Sequence, residues 1–172
     1  MNFLELAAER YSVRSYSERP VEEEKLAKIL EAARIAPTAH NNRPQKIYML
    51  KSKESREKLA SVCKCTFGAP VLFIICYDED RVWKNPLREG YNSGEVDSSI
   101  ICTHMMLAAW EEGIASCWVG FFNADEVARA FDLPANVKPV AILPIGYAAE
   151  DAKPLEEMHR GFRPMEEILT TL

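Results

Sequence analysis

A run of apolar residues from Val71 to Tyr77 constrains the fold of this chain more than any other feature. It contains β-branched and aromatic side chains without polar alternation, which predicts a strand buried on both faces. The apolar stretch that includes it, Ala69 to Tyr77, is far shorter than the roughly 20 residues that cross a bilayer. We therefore expect a strand inside a layered protein and no membrane segment.

Helix signals lie on both sides of this strand. Asn2 and Glu5 have the spacing of an N-cap and its N3 partner, so a short helix should run to Glu9. We expect its buried side to consist of Phe3, Leu4, Leu6 and Ala7. Pro20 and the acids after it open a second helix, and its apolar stripe consists of Leu26, Ile29, Leu30 and Ala33.

A third, longer helix is predicted from Asp97 to Glu112. Its apolar residues spread around most of the circumference, so it needs neighbours on several sides. The remaining elements are expected to be strands at 47–50, 115–119 and 140–147, short helices at 55–62 and 123–131, and a loop from Asp78 to Gly94. Helices and strands do not alternate strictly, which favours an α+β fold over a doubly wound parallel sheet.

Length and charge narrow the classes of function. With 172 residues the chain is the size of one domain, and its net charge of -5 makes nucleic acid an unlikely ligand. The segment Met1–Glu5 lacks the cations and apolar run of a secretory signal. The five cysteines are an odd set that fits reduced thiols in the cytoplasm. Cys63 and Cys65 have no second ligand pair, so no metal site is expected.

Familiar catalytic motifs are missing from the sequence. The seven glycines are scattered, and neither a dinucleotide-binding glycine motif nor a P-loop is present. A G-x-S-x-G turn and an H-E-x-x-H helix are also absent. Hydrolytic chemistry therefore has no visible residues to perform it.

The sequence Arg10-x-Ser12-x-Arg14 follows the first helix directly. In an extended segment alternate side chains point the same way, so two guanidinium groups and one hydroxyl converge. Such a set suits the oxygens of a phosphate. The alternative is a solvated strand edge whose arginines pair with Glu9 or Glu18, and the pattern alone favours neither.

A second candidate is the loop from Pro37 to Pro44, where prolines restrict a set of polar side chains. It could grip a polar ligand. From the pattern alone a plain turn is favoured, because Asn and Pro form turns readily.

Several short motifs occur in an order that resembles the FMN-dependent nitroreductase family. Each is weak alone, and the ordered set is specific. The motifs are Arg10-Tyr11-Ser12-Val13-Arg14, Pro20-Val21 with Leu26, Ala36-Pro37-Thr38-Ala39 with Asn41 and Pro44, Gly68-Ala69-Pro70-Val71, Leu107-Ala108-Ala109, Gly113 with Ser116-Cys117-Trp118-Val119-Gly120, and Leu143-Pro144-Ile145-Gly146-Tyr147.

The resemblance implies a single nitroreductase-like domain over residues 1–172. Members are α+β homodimers with a mostly antiparallel central sheet flanked by helices. Their two FMN sites lie at the subunit interface. Residues 148–172 would form a C-terminal extension that wraps the partner, which would explain a tail whose small apolar patch cannot bury itself.

The resemblance also implies the cofactor contacts. Arginines and a hydroxyl would hold the phosphate and the pyrimidine edge of FMN, with a further arginine from the C-terminal segment. The loop after Ala36 would cover the ring from the other subunit, and a backbone N–H near Gly120 or Phe121 would face flavin N5. The contact residues are Arg10, Tyr11, Ser12, Arg14, Pro37, Thr38, Ala39, Asn41, Val119, Gly120, Phe121, and Arg160 or Arg163.

The function implied is hydride transfer from NADH or NADPH to an electron-poor small molecule, such as a nitroaromatic or a quinone, by a ping-pong mechanism. No catalytic side chain is needed, because the flavin carries the reaction. A dimeric interaction protein without turnover, with or without flavin, is the alternative. His40, Trp83 and Phe122 could line the acceptor side, although packed or surface roles are commoner for such residues. Arg43-Pro44-Gln45 departs from the usual family pattern, as does His40.

Overall fold

A four-stranded antiparallel sheet with the strand order β1-β2-β4-β3 forms the middle of the molecule. The structure is a computed structural model that describes residues 2–172. The strands are β1 (Gln45–Leu50), β2 (Val71–Asp78), β3 (Ala115–Ser116) and β4 (Val137–Gly146). The apolar run predicted as a strand is β2, which lies between β1 and β4 and is fully buried from Val71 to Cys76.

Helices cover both faces of the sheet. They are α1 (Phe3–Glu9), α2 (Glu23–Ile35), α3 (Lys53–Val62), α4 (Gly94–Glu111), α5 (Ala124–Ala130), α6 (Glu156–Arg160) and α7 (Met165–Ile168). On one face α2 and α4 pack against Phe73 and Ile75 of β2, and on the other α3 and α5 pack against Leu72 and Ile74. Alternate side chains of β2 thus point into two separate hydrophobic cores, one on each face of the sheet. The prediction of an α+β fold is confirmed.

Helix α1 begins where predicted, but the apolar side chains expected to be buried on it are exposed. The Asn2 side chain accepts the Glu5 N–H at 3.0 Å, and Glu5 accepts the Asn2 N–H at 2.9 Å, so the capping box is formed. The prediction of a buried side is wrong within the chain, because Phe3 is 66% and Leu4 77% exposed. These side chains have no core to enter on their own chain.

Two other boundaries differ from the prediction, one because of a neighbouring residue and one because of a residue on the adjacent strand. Helix α4 begins at Gly94 rather than Asp97, since the Asn92 side chain accepts the Gly94 N–H at 2.9 Å. Strand β3 ends at Ser116 rather than residue 119. Cys117 donates to the Pro144 carbonyl at 3.3 Å, but proline has no N–H to return and the ladder is interrupted there.

The extended segment after α1 lies along the edge of the sheet. Ser12 forms a parallel bridge with Ser116, and the buried Val13 donates to the Ser116 carbonyl at 3.0 Å. The Tyr16 hydroxyl lies 2.9 Å from the Val13 carbonyl and 3.2 Å from that of Pro144. These contacts fix the backbone of residues 10–16, and with it the direction of their side chains.

Within residues 2–172, no helix combines the length and the hydropathy that crossing a membrane requires.

Candidate functional site

A cleft of about 160 Å³ lies between the segment after α1 and the C-terminal part of the chain. Arg10, Tyr11, Ser12 and Arg14 line one side, as the alternation of an extended segment predicts for the two arginines and the serine. The other side is formed by Leu155, Met158, His159 and Phe162, together with Ala7 and Ala8 from α1. The cleft therefore has a cationic wall and a mainly apolar one.

The two guanidinium groups in this cleft have no carboxylate partner among the described residues. The one hydrogen bond that Arg14 donates there goes to the Ser12 carbonyl at 3.2 Å. The surface-edge alternative predicted ion pairs with Glu9 or Glu18, and neither is formed. Two unpaired cations and a hydroxyl in one concavity are a donor set for an anion such as a phosphate.

The C-terminal wall differs from the arginine expected there. Arg160 is exposed and pairs with Glu156 at 3.5 Å, and Arg163 pairs with Glu167 at 3.0 Å. Neither lines the cleft, so their assignment to the cofactor remains a prediction. The wall is made instead by residues three and four apart around α6, which is the spacing of one helix face.

Tyr11 connects the two walls. Its hydroxyl donates to the Ala152 carbonyl at 3.4 Å, and its ring meets that of His159 edge to face, with the centroids 5.8 Å apart. On its other side it contacts Trp110 of α4 at 5.4 Å. Tyr11 therefore holds the C-terminal segment against the cationic segment.

The thiol of Cys117 lies beneath the cationic wall. Burial raises its pKa, while the charge of Arg14 and a hydrogen bond with Ser12 act in the opposite direction. Burial has the largest effect, so the thiol stays protonated near neutral pH. Cys117 is buried, and its side chain packs in the core on that face of the sheet.

A second concavity is an open groove of about 620 Å³, and one side of it is formed by the residues that follow β3, beginning at Gly120. It is lined by Val62, Cys63, Lys64, Gly120, Phe121, Phe122 and Asn123. Val119 exchanges hydrogen bonds with Ile142 at 2.9 and 3.0 Å, which fixes the backbone just before the groove. Among the described residues the N–H groups of Gly120 and Phe121 donate no hydrogen bond, so both are available to a ligand.

Gly120 also has a packing requirement. A Cβ atom at this position would lie 2.7 Å from the Trp118 ring, so a larger residue would force the indole to move. Ser12 of the cleft forms a bridge with Ser116, and the four residues from Ser116 to Gly120 of the groove span at most about 14 Å when extended. The chain therefore connects the two concavities over a short distance.

The loop predicted to cover the ligand from another subunit has a fixed conformation. The buried carboxylate of Asp97 accepts the Ala39 N–H at 2.8 Å, and the Thr38 hydroxyl accepts the Arg43 N–H at 3.0 Å. The side chain of Asn41 is engaged by Arg43 at 3.0 Å. Pro37, Thr38, Ala39 and Asn41 line neither the cleft nor the groove of their own chain.

Sequence reasoning missed several of these residues. Lys64 has no role in the sequence analysis, and the structure places it in the lining of the groove with Gly120. Leu155, Met158 and Phe162 follow a helical apolar spacing that could have been recognised. The sequence predicts Asp97 only as the first residue of a helix, and no local pattern indicates that its carboxylate accepts a hydrogen bond from a loop 58 positions away.

The sheet order defines an α+β protein, and its cleft carries two unpaired arginines and a serine. The sequence matches the Nitroreductase family over residues 7–67 and 63–147. A Methanothermobacter thermautotrophicus protein named "Putative NADH dehydrogenase/NAD(P)H nitroreductase" is 32% identical over 158 residues, covering 88% of this chain and 80% of the relative. The FMN reductase [NAD(P)H] of Bacillus subtilis is 28% identical, covering 81% of this chain and 63% of its own length.

Solved structures agree in fold. A nitroreductase family protein of Clostridium difficile 630 is 42% identical with a TM-score of 0.92, and all of both chains is covered. A protein of Exiguobacterium sibiricum 255-15, solved in complex with FMN, is 21% identical with a TM-score of 0.82 over 100% of this chain and 98% of that one. The chain belongs to the nitroreductase family.

Proposed function

We propose that this protein is an FMN-dependent oxidoreductase that uses NADH or NADPH to reduce an electron-poor small molecule, such as a nitroaromatic or a quinone. The observation that carries the proposal is the pair of unpaired guanidinium groups, Arg10 and Arg14, that share one cleft with the Ser12 hydroxyl. Relatives named as NAD(P)H nitroreductase and FMN reductase support it.

The residues present fit the cofactor by their chemistry. Arg10, Ser12 and Arg14 would hold the phosphate and the pyrimidine edge of FMN, and a cation near N1 and the C2 carbonyl would favour an anionic, reduced ring. The free N–H groups of Gly120 and Phe121 would donate to the ring edge. Lys64 adds a cation beside them.

The chemistry that bound FMN supplies is hydride acceptance from the nicotinamide and hydride donation to the acceptor in a separate half-reaction. The chain's own residues bind and orient, and none has to act as acid, base or nucleophile. The buried thiol of Cys117 stays neutral under the cleft. The fixed backbone at Val119 keeps the adjacent N–H groups in one direction.

The same proposal includes a homodimer that completes the site. The cleft of about 160 Å³ is smaller than the roughly 300 Å³ at which ligand pockets usually begin, so one chain gives part of a flavin site. Exposed apolar side chains mark surfaces that a second copy would cover. They include Phe3, Leu4, Val96, Met165, Ile168 and Leu169.

In this dimer the loop with Pro37, Thr38, Ala39 and Asn41 would cover the partner's flavin, and the extension at 148–172 of the single domain 1–172 would wrap the partner. The extension contacts its own chain at Ala152 and His159 through Tyr11, whereas Leu155, Met158 and Phe162 are 53%, 73% and 78% exposed and residues 163–172 are exposed. The reductant and the five free cysteines fit a cytoplasmic location.

The test is purification followed by a spectrum and an NAD(P)H oxidation assay. We expect a yellow protein with one FMN per chain that oxidises NADH or NADPH with menadione or nitrofurazone, with parallel lines in double-reciprocal plots. A yellow protein that consumes neither reductant with any quinone, nitro compound or ferricyanide would contradict turnover and indicate a flavin-binding interaction protein. A protein that binds no FMN would contradict the whole proposal.

A further inference from the structure

A cavity of about 260 Å³ lies between helix α3 and the turn that precedes β2. It shares no lining residue with the cleft or the groove, so the flavin chemistry proposed above makes no use of it. One side of the cavity belongs to α3 and the other to the turn. The lining residues are Lys53, Arg56, Glu57 and Ala60 on α3, and Thr66, Gly68 and Ala69 on the turn.

Arg56 brings an unpaired charge to this cavity. Its Nε is buried and has no hydrogen-bond partner among the described residues. Its guanidinium group also forms no ion pair within residues 2–172. Removing a charged donor from water without giving it a partner costs free energy. An anion in the cavity would supply the partner that the described part of the chain does not.

Thr66 adds a second donor from the turn. It is 9% exposed and lines the cavity. Its carbonyl accepts the Ala69 N–H at 3.1 Å, which closes the turn. Its hydroxyl forms no hydrogen bond with any other described residue, and a hydroxyl rotates to suit the acceptor that it meets. A buried hydroxyl and a guanidinium group in one small cavity are a donor set for an oxyanion.

The other charges of the lining leave this donor set uncompensated. Lys53 and Glu57 pair with each other at 3.8 Å, and such an exposed contact holds neither side chain firmly. Two cations and one carboxylate line the cavity, so one positive charge is in excess. The cavity is also smaller than the roughly 300 Å³ at which pockets for larger ligands begin. Charge and size together favour a small anion over a nucleotide.

We propose that this cavity is a binding site for a phosphate-like oxyanion, held by the Arg56 guanidinium group and the Thr66 hydroxyl, with Lys53 at its edge. Free phosphate and the phosphate group of a small ester present the same oxygens, and both are included in the test. A bound anion would join α3 to the turn. Lys64 of the groove lies in the chain between these two segments, so the anion would also restrict the segment that carries it.

The test is calorimetric titration of FMN-saturated protein with inorganic phosphate and with glycerol 3-phosphate at constant ionic strength. Excess FMN keeps the titrant out of the cleft. Arg56→Ala removes the guanidinium group, and Thr66→Val removes the hydroxyl at nearly constant shape. Lys58→Ala is the matched control, because Lys58 is exposed on the same helix and lies outside the cavity.

We expect one phosphate per chain with a Kd of about 1 mM or below in the wild type. Arg56→Ala should raise the Kd at least about 10-fold and Thr66→Val about 2- to 10-fold, because each removes a hydrogen bond to the anion. Lys58→Ala should stay within about 2-fold of the wild type. Phosphate should also raise the Tm of the wild type and leave that of Arg56→Ala unchanged.

Absence of saturable binding in the wild type, or equal losses in Arg56→Ala and Lys58→Ala, would overturn this inference. Binding that is lost in Arg10→Ala and kept in Arg56→Ala would place the anion in the cleft and overturn it as well. Tighter binding of the ester would support an esterified ligand, and tighter binding of phosphate would support the free ion. If the protein binds no FMN, the proposed function fails, and the same titration in an Arg10→Ala, Arg14→Ala background tests this site separately.

Discussion

At the scale of single residues, Arg10 and Arg14 differ from the arginines elsewhere on the surface. Arg19, Arg34 and Arg163 each pair with a glutamate three or four positions away, and such exposed pairs contribute little to stability. Within residues 2–172 the two arginines of the cleft have no such partner, so their charge is available to a ligand. We therefore expect Arg10 and Arg14 to contribute to the affinity for a ligand rather than to the stability of the fold.

Arg10→Ala and Arg14→Ala should each weaken FMN binding about 10- to 100-fold, because each removes a charge-assisted hydrogen bond of about 1.5–3 kcal/mol. Fluorescence titration of the apoprotein measures the Kd. Arg34→Ala is the control, since Arg34 pairs with Glu31 on α2, and it should bind FMN normally. Wild-type affinity in both cleft variants would remove these residues from the phosphate site.

The cysteines differ in reactivity for a physical reason. Burial raises the pKa of Cys76 to about 12 and that of Cys102 further, and it raises the pKa of Cys63 and Cys117 as well. Cys65 is the half-exposed member of the set. A thiol must ionise and be reached before it reacts.

With Ellman's reagent at pH 8, we expect one thiol per chain to react quickly in the native protein, and all five after unfolding in guanidinium chloride. Cys65→Ser should abolish the fast phase, and Cys63→Ser should leave it unchanged. Two or more fast thiols in the native protein would contradict the burial described for this set.

At the scale of secondary-structure elements, helix α5 positions the groove by its first turn. The Asn123 side chain accepts the N–H groups of Asp125 and Glu126 at 3.0 and 3.2 Å. Asn123 also lines the groove beside Phe121. The cap therefore stabilises the helix and fixes the end of the backbone turn that lines the groove.

Asn123→Ala should lower the free energy of unfolding by about 1 kcal/mol, whereas Asn123→Ser should be close to neutral because serine caps equally well. Urea denaturation of each variant measures the difference. Equal losses in the two variants would show that the asparagine acts by something other than its capping oxygen.

Local signals predicted most of these elements. Three of these signals lie within a few neighbouring residues, and the structure confirms all three. They are the capping box at Asn2, the apolar stripe on α2 and the unbroken apolar run of β2. The end of β3 could not be predicted, because Pro144 opposite Cys117 is distant in sequence. The start of α4 depends on Asn92, two residues from Gly94, and is a local signal that the prediction missed.

In the candidate site, too, features that depend on neighbouring residues could be predicted and features that join distant segments could not. The cationic wall could be predicted, because alternation along one segment suffices to bring Arg10, Ser12 and Arg14 together. The link from Asp97 to Ala39 and the stack of His40 on Trp83 could not be predicted, because each joins segments that only the folded sheet brings close.

At the scale of the whole molecule, large apolar side chains are exposed on α1, α4 and the C-terminal segment, which are surfaces that a second chain could cover. Phe3 and Leu4 on α1, Val96 on α4 and a row of residues in the C-terminal segment are exposed. The last residues of the chain, 163–172, have no buried member. A monomer would leave this surface in water, which is costly and prone to aggregation.

Ending the chain after Ala148 should give a monomeric or aggregating, colourless protein, because it removes both the apolar wall of the cleft and the proposed contacts with the partner. Ending it after Phe162 should keep that wall and lose only residues 163–172. Light scattering after size-exclusion chromatography, with the absorbance of bound flavin, measures both effects. A coloured dimer from the shorter chain would contradict the role given to the extension.

The central claim is that the cleft of Arg10, Ser12 and Arg14 binds the phosphate of FMN. Its most direct test is parallel titration of the apoprotein with FMN and with riboflavin, which lacks the phosphate. We predict one FMN bound per chain with an affinity at least about 100-fold above that for riboflavin, since several charge-assisted contacts are lost together. Equal affinity for the two flavins, or no stoichiometric FMN binding, would contradict the claim.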